Sequence, residues 1–281
     1  MNLQSICICG AGTMGSGIAQ VAATAGFETI LYEVNTDILE NARSSIQKNL
    51  QTLVEKNRIT AEERNSALER IHFVSDQKQC VADLIIEAIV ENLDSKVSLI
   101  NQLANINDPK TVYATNTSSL SVSEIASKVF HPENIVGMHF FNPAPLMKLV
   151  EVVRAEKTSR DVVETIVALA NQLGKTPVVC RDSPGFIVNR VARPFYIESL
   201  RLIEEGQTDF ATIDHLLEVT GFRMGPFKLM DLIGNDVNYA VTQSVYEQLN
   251  KPERLRPSYI QKQKVEDGEL GKKTGSGYYQ Y

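Results

Sequence analysis

The sequence Gly10-Ala11-Gly12-Thr13-Met14-Gly15 narrows the possible folds of this chain more than any other stretch. It follows the apolar run Ser5–Cys9 directly and opens into the helical run Ser16–Thr24. Gly10 permits a tight turn, Gly12 lets the backbone approach a pyrophosphate, and Gly15 lets helix and strand pack closely. Thr13 and Met14 stand where the helix N-terminus faces the phosphates, and that terminus favours anions. Such a glycine pattern is common in isolation. Here a strand precedes it, a helix and a second strand follow, and an acid, Glu33, ends the second strand. A carboxylate at that place accepts hydrogen bonds from the adenosine ribose hydroxyls and repels a 2′-phosphate. Val34-Asn35-Thr36 offers no cation to offset that repulsion. The pattern therefore selects NAD over NADP.

Further along, short β runs alternate with helical stretches, the mark of a parallel sheet covered on both faces. Strands are expected at Ser5–Cys9, Glu28–Tyr32, Ile71–Val74, Leu84–Ala88, Val112–Ala114 and Ile135–Phe140. Leu149–Val153 and Pro177–Cys180 are expected to extend the sheet around a helix near Asp161–Leu173. Two helical patterns, Asp37–Glu55 and Ala61–Leu68, exceed what a simple crossover needs and read as a helical hairpin carrying Arg43, Lys48, Lys56 and Arg58. After Asp182-Ser183-Pro184-Gly185 the strand signals stop. Helices are expected near Phe186–Glu204, Asp209–Val219, Phe227–Met230, Asn235–Leu249 and Pro257–Asp267. The expected fold is α/β: a Rossmann-type, doubly wound sheet with a helical hairpin insertion (residues 1–183), then a smaller all-helical domain (184–281).

With 281 residues, 43% of them apolar, the chain can bury one large core or two medium ones. Its formal net charge of −6 argues against a nucleic-acid surface, which needs a cationic excess. Apolar stretches such as Leu84-Ile85-Ile86 are too short to span a bilayer, and Met1-Asn2-Leu3-Gln4-Ser5 has no basic leader, so no membrane association or signal peptide is expected. Cys7, Cys9, Cys80 and Cys180 show no metal-binding spacing. They are expected as free thiols in a reducing cytoplasm, with no metal.

Of four histidines, His72, His131 and His215 lie at a strand border, in a His-Pro loop and within a helical run. His139 differs. It ends the run Ile135-Val136-Gly137-Met138 and enters Phe140-Phe141-Asn142-Pro143. The C-terminal ends of parallel strands are where α/β folds hold ligands. Removing hydride from a secondary alcohol also requires a base for the hydroxyl proton, a task suited to histidine near neutral pH.

Several segments together resemble the 3-hydroxyacyl-CoA dehydrogenase family, in order and over essentially the whole chain. They are Gly10–Ala19, Ile86–Asn92, Asn116–Leu120, Gly137–Pro145 with Met147–Val153, Asp182–Arg190, Met224-Gly225-Pro226 and Leu270–Gly277. The most specific are His-Phe-Phe-Asn-Pro-Ala-Pro with Lys-Leu-Val-Glu-Val, and Pro-Gly-Phe-Ile-Val-Asn-Arg. The resemblance implies oxidation of a 3-hydroxyacyl-coenzyme A thioester by NAD, with His139 as general acid/base and Glu151 bonded to its far nitrogen. It implies that Ser118 and Asn189 hold the substrate, and that Glu91, Lys96, Asn142 and Lys273 contact the cofactor. It further implies that Lys56 on the hairpin meets a coenzyme A phosphate, and that a homodimer forms mainly through the C-terminal helices. This chain departs from the family in two places: Glu33 replaces the usual aspartate, and Asn49 stands where a serine often faces coenzyme A.

Two other readings stay open at this point. A gulonate-type sugar-acid dehydrogenase shares the fold and the His–Glu pair, and free hydroxy acids as substrates would reveal it. A non-catalytic NADH-binding protein would show no turnover of acetoacetyl-CoA.

Overall fold

The computed structural model describes residues 3–281; Met1 and Asn2, which open the expected cofactor domain, lie outside the described residues. The apolar run after Gln4 forms β1 (Ser5–Cys9), buried from Ile6 onward. The glycine turn then feeds α1 (Thr13–Thr24), which begins three residues earlier than the apolar periodicity suggests, because Gly12 itself serves as N-cap. β2 (Glu28–Tyr32) follows, then the hairpin of α2 (Thr36–Glu55) and α3 (Ala61–Glu69), and β3 (Ile71–Val74). The hairpin boundaries are set by side chains. Asn35 accepts the amides of Asp37 and Ile38, and Thr60 with Glu63 forms a reciprocal cap on α3.

β4 (Leu84–Glu87), α4 (Leu93–Ala104), β5 (Val112–Thr115), α5 (Val122–Ser127) and β6 (Ile135–Phe140) continue the alternation. β7 (Leu149–Arg154), α6 (Arg160–Gln172) and β8 (Thr176–Arg181) complete it. The eight strands line up as β3-β2-β1-β4-β5-β6-β7-β8. Strand order reverses between β1 and β4, so a crevice opens beyond their C-terminal ends, where the glycine turn stands.

One pairing departs from the parallel pattern: β7 runs antiparallel to β6, whereas every other neighbouring pair is parallel. The physical reason lies in the connection. Residues 141–148 form a short loop without a helix, and a parallel return needs a crossover of about a dozen residues or more. In the resulting register His139 lies directly across from Glu151. Ile6, Ile8, Ile18, Leu31, Ile86, Val136, Met138 and Val152 belong to the core that fixes these strands.

The second compact unit begins at Ser183. It contains α7 (Val188–Glu204), α8 (Phe210–Val219), α9 (Pro226–Ile233), α10 (Asn235–Gln248) and α11 (Tyr259–Glu266). Tyr196, Leu200, Ile213, Phe227, Met230 and Tyr278 form its core. Two buried aspartates stitch it together. Asp214 accepts the amides of Phe227 and Lys228 at 2.9 and 3.0 Å, capping α9 from a neighbouring helix. Asp231 accepts the amides of Tyr278 and Tyr279, both at 3.0 Å, and so anchors the C-terminal tail. Gly225 and Gly277 are required there: a Cβ would come within 2.3 Å of Asp214 and 2.0 Å of Asp231 respectively. Among the described residues, no helix is long and apolar enough to cross a membrane.

Candidate active site

At the β1 end, the glycine turn is held by its neighbours and stays open on its outer side. A Cβ on Gly10 (φ +100°) would lie 2.6 Å from the Ala88 carbonyl oxygen, while one on Gly12 would meet nothing within 4 Å. No side chain caps the first amides of α1, so these donors remain for an anion. Glu33 accepts the amides of Ala11 and Asn35, both at 3.1 Å, which ties the end of β2 to the turn. A pyrophosphate-bearing dinucleotide fits this cradle: open space at Gly12, uncapped amides and a carboxylate at the adjoining strand end.

Next to it, β4 ends in Glu87, whose carboxylate accepts from Lys96 Nζ at 2.6 Å, Thr115 Oγ1 at 2.7 Å and the Ile89 amide at 2.8 Å. Lys96, on the inner face of α4, also reaches Glu91 at 3.1 Å. One oxygen of Glu91 gathers Thr117 Oγ1 at 2.5 Å and the amides of Ser118 and Ser119 at 3.0 and 3.1 Å. Burial pushes the Glu91 carboxyl up, but the Lys96 charge, with hydrogen bonds from Thr117, Lys96 and Ser118, holds it below the usual carboxylate range.

Lys96, expected to contact the cofactor, is 1% exposed and bonded to two carboxylates. The sequence concealed this because Lys96 and Glu87 lie in different elements, and their pairing appears only when α4 folds over β4. Sequence reasoning passed over Glu87 altogether, although a charged residue closing the apolar run Leu84-Ile85-Ile86 was the available signal.

At the end of β6, His139 Nδ1 lies 2.7 Å from Glu151 Oε2, and both side chains are buried. The antiparallel register alone brings them together, since directly opposed residues share one face of the sheet. Asn116 Oδ1 accepts the Phe140 amide at 2.9 Å, which extends the β5 side of the ladder past the histidine. The Phe141 ring packs at 4.6 Å from the imidazole centroid. The loop after it carries exposed Asn142 and a cis Asn142–Pro143 bond. Its far end is pinned by Lys175, another residue the sequence did not single out, whose ammonium donates to the carbonyls of Ala144 and Met147 at 2.5 and 2.9 Å. Burial lowers the pKa of Lys175. The chemical capacity of this end of the sheet is clear: an imidazole backed by a buried carboxylate can take a proton and stabilise the charge it gains.

The remaining expected residues are placed as follows. Ser118 is half-buried in the turn that Glu91 holds. Asn189 lies in the first turn of α7, because that helix begins at Val188 and not at Phe186, so it is nearer the helix terminus than the sequence suggested. Lys273 donates to both oxygens of Asp236 at 2.6 and 2.7 Å within the second unit. Lys56 is the exposed C-cap of α2. Asn49 on the same helix donates to Gln20 at 3.4 Å, and Arg43 stacks over the Phe73 ring at 4.2 Å. Cys7, Cys9 and Cys80 show no metal spacing in sequence, yet the fold brings their buried sulfurs within 4.8 Å of one another. All four cysteines are free thiols.

A family model described as 3-hydroxyacyl-CoA dehydrogenase, NAD binding domain, matches residues 5–183. Another, described as 3-hydroxyacyl-CoA dehydrogenase, C-terminal domain, matches residues 185–281. The chain is 45% identical over 283 residues to 3-hydroxyadipyl-CoA dehydrogenase of Escherichia coli (strain K12), covering all of this chain and 60% of that protein. It is 37% identical over 287 residues to mitochondrial hydroxyacyl-coenzyme A dehydrogenase of Sus scrofa, covering 99% of this chain and 91% of the relative. Among solved structures, (S)-3-hydroxybutyryl-CoA dehydrogenase from Ralstonia eutropha superposes with a TM-score of 0.96 at 34% identity, covering 100% of this chain and 99% of that one.

Proposed function

The chain belongs to the 3-hydroxyacyl-CoA dehydrogenase family, and from that premise we propose that it interconverts a short-chain 3-hydroxyacyl-CoA, with 3-hydroxybutyryl-CoA as reference substrate, and its 3-ketoacyl-CoA. The observation that carries this reading is the buried His139–Glu151 pair, 2.7 Å apart at the end of β6. NAD, when bound, supplies the hydride acceptor. Gly10, Gly12, Thr13, Met14 and Gly15 offer the backbone cradle for its pyrophosphate, Glu33 the partner for its ribose, and Glu91, Lys96, Asn142 and Lys273 further contacts.

In the oxidative direction the imidazole of His139 takes the proton from the 3-hydroxyl. Glu151 holds the ring through Nδ1 and stabilises the imidazolium. In the reverse direction that imidazolium gives its proton to the ketone oxygen. Ser118 and Asn189 orient the substrate oxygens, and Lys56 meets a phosphate of coenzyme A. Residues 1–183 serve the cofactor, and residues 184–281 serve the substrate and a homodimer. Exposed Val191, Leu216, Val219 and Phe222 on and beside α7 and α8 support that dimer surface. The free thiols fit a reducing cytoplasm.

The test is NADH oxidation with a series of 3-ketoacyl-CoA thioesters, starting at acetoacetyl-CoA and including a 3-ketoadipyl thioester, since a 45% identical relative bears the adipyl name. Highest kcat/KM on acetoacetyl-CoA is the expected result. A preference for the dicarboxylic thioester would move the substrate to that class, and turnover of free hydroxy acids alone would overturn the proposal.

A further inference from the structure

At the C-terminal ends of β4 and β5, three ionisable side chains form a chain of contacts, and its buried first member, Glu87, has no part in the steps above. Glu87 and Lys96 are each 1% exposed and bonded at 2.6 Å, and Lys96 is bonded in turn to Glu91 at 3.1 Å. We propose that Glu87 is a positioning residue: through Lys96 it fixes Glu91, and through Glu91 it fixes the turn that presents Ser118. The inference deepens the proposed function, since it rests on Ser118 as a substrate ligand.

Stability alone is a weak reason for this arrangement. Burying charges costs several kcal/mol per ion, and apolar residues of similar volume often serve a core as well or better. What the charges provide is a fixed geometry. Every oxygen of Glu87 is used: Lys96 and the Ile89 amide on one, Thr115 on the other. The ammonium is therefore held between two carboxylates, with no freedom to leave the strand ends. Glu91 Oε1 then accepts Thr117 Oγ1, Ser118 N, Ser119 N and Ser119 Oγ, all between 2.5 and 3.1 Å. Only an ionised carboxylate can accept on that scale, and the Lys96 charge, with the hydrogen bonds from Thr117 and Ser118, holds the Glu91 carboxyl below the usual range. If Glu87 loses its charge, Lys96 is drawn to Glu91 alone and the acceptor swings with it. A displacement of about 1 Å in a positioning group can cost on the order of 100-fold in rate.

The experiment compares Glu87→Gln, Lys96→Met and the double variant in the full chain. It measures kcat and KM for acetoacetyl-CoA and NADH against pH, below each variant's Tm, and the backbone amide resonances of Ser118 and Ser119 without ligand. Glu87→Gln should shift both amide resonances and reduce kcat/KM for acetoacetyl-CoA ~10- to 100-fold. Lys96→Met should do at least as much and should also move the acid-side loss of activity upward, because Glu91 loses the cation that holds its carboxyl down. The double variant should match Lys96→Met within about twofold, since the two residues act in series.

Losses that multiply in the double variant would overturn the relay, as would amide resonances indifferent to Glu87→Gln. Losses that follow only the folded fraction would reduce Glu87 to a stabilising residue and overturn it too. Should Lys96→Met not fold, the Ser118 and Ser119 resonances in Glu87→Gln decide alone. If the unaltered protein turns over no acyl-CoA, the substrate role of Ser118 falls, while the same resonances still report whether Glu87 fixes the turn.

Discussion

Gly15 of α1 lies so close to Gly10 that a Cβ on it would stand 1.7 Å from the Gly10 carbonyl oxygen. The obstructing atom is backbone, so no rotamer change can make room, and strand end and helix start would have to separate. Gly12 is the opposite case: its φ is −66° and the space beside it is open. Gly15→Ala should therefore cost about 1–3 kcal/mol or more of stability. Gly12→Ala should leave Tm within about 2 °C yet weaken NADH by at least tenfold, about 1.4 kcal/mol, because the methyl group enters space reserved for the pyrophosphate. Thermal melts and NADH fluorescence titrations separate the two. A Gly12→Ala protein that binds NADH normally would remove the glycine turn from the cofactor site.

On the proposed assignment, cofactor choice follows from Glu33. Its carboxylate is held by the amides of Ala11 and Asn35, so it cannot swing away from a 2′-phosphate without breaking both hydrogen bonds. NADH should be preferred over NADPH by at least tenfold in kcat/KM, about 1.4 kcal/mol. Glu33→Ser should narrow that ratio by removing the repulsion. Equal use of both cofactors by the unaltered enzyme would refute the assignment.

In the second unit, stability concentrates on Asp231, which is 1% exposed. Its two oxygens accept the Tyr278 and Tyr279 amides, the Asn235 side chain at 3.0 Å and the Tyr281 hydroxyl at 3.1 Å. Asp231→Ala leaves several buried donors unpaired, each costing about 1–3 kcal/mol, and should unfold the C-terminal tail. Tyr281→Phe removes a single donor and should cost about 1 kcal/mol. Denaturant titrations of both variants, with limited proteolysis of the tail, provide the measurement. Similar midpoints for the two would show that the aspartate does not hold the tail.

These cases show where the sequence was legible. The glycine turn, Glu33 and the strand runs depend on residues close together in the chain, so spacing was enough to place them. β1, β2, β3 and β6 span the expected residues. The direction of β7 was harder to see, because apolar alternation is the same for parallel and antiparallel neighbours; only the helix-free loop 141–148 distinguished them. The buried partners of Lys96, Glu87, Lys175 and Asp231 were missed for a common reason. Each is a charged residue, a type that by itself signals a solvated surface. Burial reverses its role, and burial is set by packing against another element: β4 for Lys96, the loop after β6 for Lys175, the tail for Asp231.

The last prediction concerns His139 and Glu151. His139→Ala should lower turnover by roughly 10²–10⁴ with NADH affinity retained, since the cofactor cradle lies at β1. Glu151→Gln keeps a hydrogen-bonding group at 2.7 Å from Nδ1 but supplies no charge to the imidazolium, which becomes less stable. The maximal rate of 3-hydroxybutyryl-CoA oxidation should therefore fall. An independent reporter sits on β8. Burial first, then the charges of Glu151 and Asp182, push the Cys180 thiol up to about 11. Removing the Glu151 charge removes one of the negative charges disfavouring the thiolate, so the thiol pKa falls and alkylation of Cys180 near pH 8 speeds up. Buried Cys7, Cys9 and Cys80 should stay protected, which separates a local charge effect from unfolding. Glu151→Gln enzyme with an unchanged maximal rate and unchanged Cys180 reactivity would show that Glu151 carries no charge that the histidine feels, and the pair would lose its place in the mechanism.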